Sequence, residues 1–160
     1  MRIVLAAFIL GIMAMSSSSC GSKMIVHVPK DYQGNIIIFF NEDTERGRIE
    51  TGDGNYNFYP PEDGILFTRK SSDDFPTRIE IKDDKGHVLE PLLILERKNK
   101  VLNDTTLYVG DARGAIDYSF TQVGTKSTLA KLKYLSAEDI GEMERLQKSG
   151  YYTYWLKEHK

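Results

Sequence analysis

The sequence predicts a mostly β fold: a small antiparallel β-sandwich, Ig-like or transthyretin-like, with a helical C-terminal tail. Three observations support this class. From residue 24 to residue 124, short runs of β-branched and aromatic residues alternate with turn residues. From residue 125 to residue 160, apolar residues recur at helical spacing instead. The 160 residues, 41% of them hydrophobic, suffice for one domain with a core and exclude a disordered chain.

Seven or eight short strands are expected in the β-rich part, and individual runs justify them. Residues 36–40 are all β-branched or aromatic, which predicts a central strand covered on both faces. Apolar and charged residues alternate at 79–82, which predicts a hairpin strand with Gly86 at the left-handed turn position. The apolar run 92–95 is interpreted as another strand, and 110–114 as the turn between the last two strands.

The polar segment from Glu42 to Gly54 is expected to be a loop. It overlaps a fragment, 41–47, whose oxygen-bearing side chains at positions one, three and five resemble a calcium-binding loop. Gly52 stands at the twelfth position, where such a loop requires a bidentate Glu. We therefore favour a solvated loop and assign no metal ligands. A looser calcium site that includes Asp53 is the alternative.

The tail, residues 125–160, is expected to be helical and to pack on the sandwich or cover an open sheet edge. Ser136 is a suitable N-cap, because acidic residues follow it in the first turn. Ile140, Met143 and Leu146 recur on one helical face. Gly150 is a suitable end of this helix, and a cluster of aromatic residues follows it: Tyr151, Tyr152, Tyr154 and Trp155.

The first twenty residues have the organisation of a lipoprotein signal. Arg2 precedes an uncharged, apolar run, 3–15, which is too short to span a bilayer and suits the core of a signal peptide. Four serines then lead to Cys20, the one cysteine of the chain. This order predicts a signal peptide at 1–19 and a lipidated tether at 20–23, with Cys20 acylated after cleavage. Each buried methylene of the acyl chains stabilises membrane attachment by ~0.8 kcal/mol.

Two resemblances agree with this interpretation. The segment ending at Cys20 resembles the lipobox of bacterial lipoproteins, in the looser Bacteroidetes-type form that accepts Ser17 three residues before the cysteine. The second covers residues 28 to about 68 and rests on Tyr32-Gln33-Gly34, Phe40-Asn41, and a segment that runs from Tyr59-Pro60 to Asp63-Gly64-Ile65-Leu66. This segment is similar to an uncharacterised domain-of-unknown-function family of small bacterial secreted proteins and lipoproteins. The resemblance implies a β-rich lipoprotein domain and no known activity.

Charge and motifs restrict the function. The chain has 21 basic and 23 acidic residues, so its net charge of −2 argues against nucleic-acid binding. It contains no G-x-S-x-G elbow and no H-E-x-x-H motif, and its histidines, at 27, 87 and 159, lack ligand-like spacing. We therefore assign no catalytic residue and no cofactor, and we expect a protein that is not an enzyme.

Aromatic residues provide the candidate binding surface. The chain has nine tyrosines and seven phenylalanines, and tyrosine is favoured at interfaces for its rigid, amphipathic ring. Two clusters are assigned to this surface, and the alternative for each ring is core packing. The first comprises Tyr56, Phe58 and Tyr59, and the second comprises Tyr151, Tyr152, Tyr154 and Trp155.

These observations favour a lipid-anchored, non-enzymatic binding or accessory module. The membrane is one expected partner, through the acyl chains, and an envelope protein or glycan is the other. The residues after Cys20 lack the acidic cluster of surface-exported lipoproteins, which favours an outer-membrane location facing the periplasm. Two alternatives stay open: an enzyme inhibitor or immunity-type lipoprotein, and a hydrolase whose site is assembled in space around His27 or His87.

Overall fold

The computed structural model describes residues 21–149, which form eight strands and three α-helices. The signal peptide, Cys20, Gly150 and the aromatic cluster at 151–155 lie outside the described residues. The strands are β1 (Met24–His27), β2 (Gly34–Phe39), β3 (Arg48–Gly52), β4 (Asn55–Tyr59), β5 (Ile65–Phe67), β6 (Ile79–Lys82), β7 (Tyr108–Gly114) and β8 (Tyr118–Gly124). The helices are α1 (Leu92–Arg97), α2 (Lys126–Leu129) and α3 (Ala137–Lys148).

The strands form two four-stranded sheets. The first sheet has the order β3-β4-β1-β6, and the second has the order β5-β2-β8-β7. The predicted β-rich fold is confirmed, but the antiparallel prediction holds only in part. β1 pairs in parallel with β4 and β6, and β2 pairs in parallel with β5. The other pairings, β2–β8, β3–β4 and β7–β8, are antiparallel.

The parallel pairings follow from the route of the chain. After β1 the chain crosses to the second sheet for β2, returns for β3 and β4, crosses again for β5 and returns for β6. Parallel neighbours cannot be joined by a tight hairpin and need a crossover connection, and strands of the other sheet separate each of the three parallel pairs along the chain. Turn residues predict where a chain reverses, but they do not predict which sheet the next strand joins.

Apolar side chains form two clusters, one on each face of the second sheet. The cluster between the sheets includes Met24 and Val26 of β1, Ile36 and Ile38 of β2, and Phe58 of β4. The other cluster joins the opposite face of the second sheet to the region of α3. The members of this second cluster are Ile37, Phe39, Ile65, Phe67 and Phe120 from the sheet, and Leu135, Ile140 and Met143 from the C-terminal part. The molecule therefore has three layers.

Two predictions about individual elements are confirmed. Consecutive residues of β2 enter the two different clusters, so this strand is covered on both faces. Ser136 caps α3: its hydroxyl accepts the Asp139 N–H at 3.1 Å, and the Asp139 carboxylate accepts the Ser136 N–H at 2.8 Å. This reciprocal capping box fixes the start of the helix. Ile140 and Met143 are buried as their spacing predicts.

The interpretation of 92–95 as a strand is wrong, because these residues begin α1. Pro91 holds the N-cap position with extended backbone, and the helix follows it directly. Leu95 is buried, while Leu93 and Ile94 are exposed. A short apolar run is compatible with either a buried strand or a short helix, so periodicity alone does not distinguish the two.

The predicted turn at 110–114 is also wrong, because these residues belong to β7. The pairing of β7 with β8 shifts register between Val109 and Ala112, which marks a β-bulge at Gly110 and Asp111. Glycine within a strand often marks a bulge, and the sequence pattern around Gly110 does not distinguish a bulge from a turn. The chain instead reverses at residues 115–117.

The segment from Glu42 to Gly54 is only partly a loop, because it contains the polar edge strand β3. β3 and β4 are joined by Asp53 and Gly54, whose φ angles are +52° and +73°. Both residues therefore adopt the left-handed conformation that a two-residue hairpin turn requires. Exposed edge strands rich in charge lack the apolar alternation by which strands are recognised.

Three of the residues that carry the family resemblance, Tyr32, Asp63 and Gly64, meet in one packed cluster. The Tyr32 hydroxyl donates a hydrogen bond to the Asn35 carbonyl and lies 3.3 Å from the Asp63 carbonyl oxygen. Gly64 has a φ of +79°, and a Cβ there would lie 2.2 Å from the Tyr32 hydroxyl. The Asp63 carboxylate accepts two hydrogen bonds from Arg46, at 2.9 and 2.7 Å. The motif thus has a packing role in this fold.

Candidate functional site

The outer face of the first sheet carries polar and aromatic side chains. Side chains alternate across a strand, so those of Met24, Val26 and Phe58 enter the core while their neighbours point away from it. The pairing register places the outward residues in rows across β3, β4, β1 and β6. We call this surface the polar sheet face. Its residues are Lys23, Ile25, His27, Arg48, Glu50, Asn57, Tyr59, Glu80 and Lys82, of which Ile25 is buried among its neighbours.

An aromatic pair lies on the polar sheet face where β1 and β4 end. The rings of His27 and Tyr59 stack with centroids 4.5 Å apart and an interplanar angle of 11°. Nε2 of His27 is 2.9 Å from Oδ1 of Asn57. The Arg48 guanidinium carbon lies 4.3 Å from the centre of the Tyr59 ring, on which its cation is favourably placed. The two rings are therefore held between an amide and a cation.

The charges around this pair are largely neutralised by neighbours on the same face. Glu80 accepts a hydrogen bond from Lys23 Nζ at 2.8 Å and lies 3.5 Å from Lys82 Nζ. The hydrogen bond from Lys23, together with both lysine charges, holds the pKa of Glu80 below its ordinary value. Arg48 and Glu50 are 2.8 Å apart. The charged groups of this face are therefore paired mainly with one another.

The predicted aromatic cluster on β4 is divided between two faces of the sheet. Tyr59 lies on the polar sheet face. Phe58 is 0% exposed in the core, so its assignment to a binding surface is wrong. Tyr56 is half-buried and packs edge-on against Phe75, with ring centroids 5.2 Å apart. The strand alternation at 55–59 was the signal that could have separated these rings. Tyr151, Tyr152, Tyr154 and Trp155 lie outside the described residues.

A groove of about 540 Å³ lies at the end of the sandwich where β1 and β6 end. Three segments line it: 31–33 after β1, 83–90 after β6, and 105–108 at the start of β7. Four of its fourteen lining residues are carboxylates, and one is a lysine. We call it the end groove. It adjoins the polar sheet face at Lys82, which pairs with His27 and directly precedes Asp83.

Asp83 organises one wall of the end groove. Its carboxylate accepts the backbone N–H of Lys85 at 3.0 Å and of His87 at 2.7 Å, and it lies 3.0 Å from Nδ1 of His87. Burial alone would raise the pKa of Asp83, but the bonds from His87 and Lys85 outweigh it and hold that pKa below its ordinary value. Asp83 is therefore a fixed negative charge near neutral pH.

The groove residues also bear on the hydrolase alternative. His87 and Asp83 form an acid–histidine pair in a cleft, as that alternative requires. Thr105 and Thr106 line the same groove. Within residues 21–149, no serine, threonine or cysteine side chain is hydrogen-bonded to the His87 ring, which is 74% exposed. The pair therefore has no positioned nucleophile of its own in the described structure.

Two side chains of the suspected calcium loop, Glu42 and Arg46, pair with residues outside it. Glu42 is buried, and its carboxylate lies 3.0 Å from Lys148 of α3. Burial raises the pKa of Glu42, and Lys148 opposes that shift. Arg46 pairs with Asp63, as described above. No group of three or more histidine, cysteine or acidic side chains within 21–149 is arranged to hold a metal ion.

Comparisons with known proteins give one distant structural likeness. No protein-family model matches the chain, and no curated protein matches it in sequence. A crystal structure described as "Putative Lipoprotein from Bacillus anthracis" has 12% sequence identity and a TM-score of 0.43. The match covers 79% of this chain and 92% of that chain. None of the helices within 21–149 has the length and apolarity needed to cross a bilayer.

Proposed function

We propose that this chain is a lipid-anchored, non-enzymatic binding module of the bacterial cell envelope. Acyl chains on Cys20 hold it at the outer membrane, facing the periplasm. A protein or glycan of the envelope docks on its polar sheet face. The family resemblance of residues 28–68 and the lipobox-like order around Cys20 support the anchor. The arrangement of His27, Tyr59 and Arg48 supports the docking surface.

The attachment of the first strand is the observation that carries the proposal. The Lys23 N–H donates to Oδ1 of Asn55 at 3.0 Å, and the Lys23 carbonyl accepts the Tyr56 N–H at 2.9 Å. Only Gly21 and Ser22 therefore separate Cys20 from fixed structure. An anchored domain would lie with this end next to the bilayer. The end groove lies at the other end of β1, so it would be about 13 Å farther from the bilayer, the length of a four-residue strand.

Metabolic labelling with palmitate tests the anchor. The full chain is expressed with its own signal in a bacterium, alongside Cys20→Ala and a matched Ser22→Ala control that keeps the cysteine. We expect label and membrane partitioning in the parent and in the control, and the loss of both in Cys20→Ala. Retention of label in Cys20→Ala, or its absence from the parent, contradicts the anchor.

Photo-crosslinking tests the docking surface. A photoreactive amino acid replaces exposed Arg48 on the polar sheet face and, in a separate chain, exposed Glu138 on α3. We expect a discrete covalent adduct in intact membranes from position 48 and none from position 138. The docking proposal fails if position 48 gives no adduct or if both positions give the same adducts.

A further inference from the structure

We infer that the end groove binds an extended basic segment of a partner protein, with lysine or arginine side chains alternating with small apolar ones. This inference rests on the proposed binding role and names the partner's chemistry at one site. It is carried by three properties of the groove: the apolar residues in its lining, its two unpaired carboxylates and its open shape.

Part of the lining of the end groove is apolar. Leu89 and Tyr108 are buried beneath it, and Leu107 is packed against the core. Val88 lines the groove with 54% of its surface exposed, so an apolar side chain of a ligand would cover it. The volume of about 540 Å³ is within the usual range of ligand-binding clefts.

The charge of the end groove is negative, and part of it has no partner. Asp31 and Asp84 come from two different loops, and neither forms an ion pair or a side-chain hydrogen bond with another residue in the described part of the chain. Asp83 keeps its fixed charge beside them. Glu90 has Lys100 3.6 Å away in an exposed pair, and Lys85 is the one lysine among the lining residues. Cationic side chains are the complement of this lining.

The shape of the groove favours an extended chain over a metal ion or an enclosed small molecule. The groove is open to solvent and runs between separate loops at the end of the sandwich. Its carboxylates are not arranged as a metal site. A peptide with alternating side chains would direct apolar groups to Val88 and cations to Asp31 and Asp84.

Fluorescence polarisation with defined peptides tests this inference on the full mature chain. The probes are a labelled Lys-Val-Lys-Val-Lys peptide and its Glu-Val-Glu-Val-Glu counterpart, each at about 50 mM and about 300 mM salt. Asp31→Asn with Asp84→Asn removes the unpaired charges, and Asn tolerates the left-handed backbone of Asp31, whose φ is +59°. Glu45→Gln with Asp117→Asn is the matched control, because both residues are exposed and line no part of the groove.

The inference predicts that the lysine peptide binds in preference to the glutamate peptide, and more weakly at high salt. Asn at positions 31 and 84 should weaken binding about five- to tenfold, and the control pair less than about twofold. Equal binding of the two peptides, or equal losses in the two double variants, overturns it. Spermidine binding as tight as that of the lysine peptide overturns the peptide assignment. If the photoreactive residue at position 48 gives its adduct while the peptide inference fails, the proposed binding role survives and only this groove assignment is lost.

Discussion

The two sheets of this protein differ in how they are covered. The second sheet is buried on both faces, by the first sheet on one side and by the region of α3 on the other. The first sheet is buried on one face, and its other face carries the His27–Tyr59 pair among paired charges. This difference suggests a division of roles. Apolar burial in the second sheet stabilises the fold, which leaves one face of the first sheet available for contact.

Replacing one aromatic residue of each sheet by alanine tests this division of roles, and the core replacement should have the largest effect on stability. Phe39 is 1% exposed between the second sheet and α3, and its ring stacks on Phe67 at 5.0 Å. Phe39→Ala should lower the free energy of unfolding by about 3–5 kcal/mol, because it removes apolar contacts and leaves a cavity. Tyr59→Ala on the polar sheet face should lower it by about 1 kcal/mol or less. Urea denaturation of both variants measures the difference, and similar losses would contradict the division.

The Tyr32 hydroxyl is expected to have an intermediate effect. It bonds the Asn35 carbonyl at the start of β2 and lies beside Gly64 at the start of β5. Burial and the nearby charge of Asp63 raise the pKa of Tyr32 above its ordinary value, so the hydroxyl stays protonated as a donor. Tyr32→Phe should lower the free energy of unfolding by about 1–2 kcal/mol, because the carbonyl loses its donor. Unchanged stability in urea would show that this hydrogen bond has no structural role.

The ion pair between Glu42 and Lys148 should give the smallest effect, visible as a pH dependence. Burial raises the pKa of Glu42, so the folded protein retains a proton in a pH range where the unfolded chain has lost it. The stability contributed by Glu42 is therefore fully present below its ordinary pKa and is lost as pH rises through its folded pKa. Glu42→Gln cannot ionise, so the stability of the parent relative to this variant should fall as pH rises.

Denaturation of both chains at several values between about pH 4 and 7 measures this difference. Carboxylates whose pKa is lowered, such as Glu80 and Asp83, make the stability rise with pH, but both chains contain them. They therefore cancel in the comparison. A difference that stays constant, or that grows with pH in favour of the parent, would contradict the burial of Glu42.

The sequence predicted those elements whose local pattern and tertiary environment agree. The apolar run in β2 matches its burial on two faces, and Ser136 with Asp139 forms the cap that the sequence indicates. β3, α1 and the bulge in β7 were missed, because an exposed edge, a short helix and a strand glycine resemble other structures in sequence. Parallel pairing was missed because it depends on the order of crossovers between sheets.

The candidate site was predictable only in part, for a similar reason. Tyr59 was assigned from composition, and the alternation of β4 would have moved Phe58 to the core. The His27–Tyr59 stack joins β1 to β4, and the end groove joins Asp31 to Asp84 across 53 positions of sequence. Such contacts depend on strand register, which a local pattern does not specify.

The proposed anchor at Cys20 would hold the Lys23 end of β1 at the bilayer and leave the end groove away from it, and energy transfer to the bilayer tests this arrangement most directly. Acylated full-length chains carry a single dye, at Lys85→Cys in the groove or at Thr51→Cys, which pairs with Tyr56 beside Lys23. The chains are placed on vesicles that contain an acceptor-labelled lipid. We expect the dye at position 85 to lie more than ~10 Å farther from the bilayer surface than the dye at position 51. Equal transfer from both positions, or stronger transfer from position 85, would contradict it.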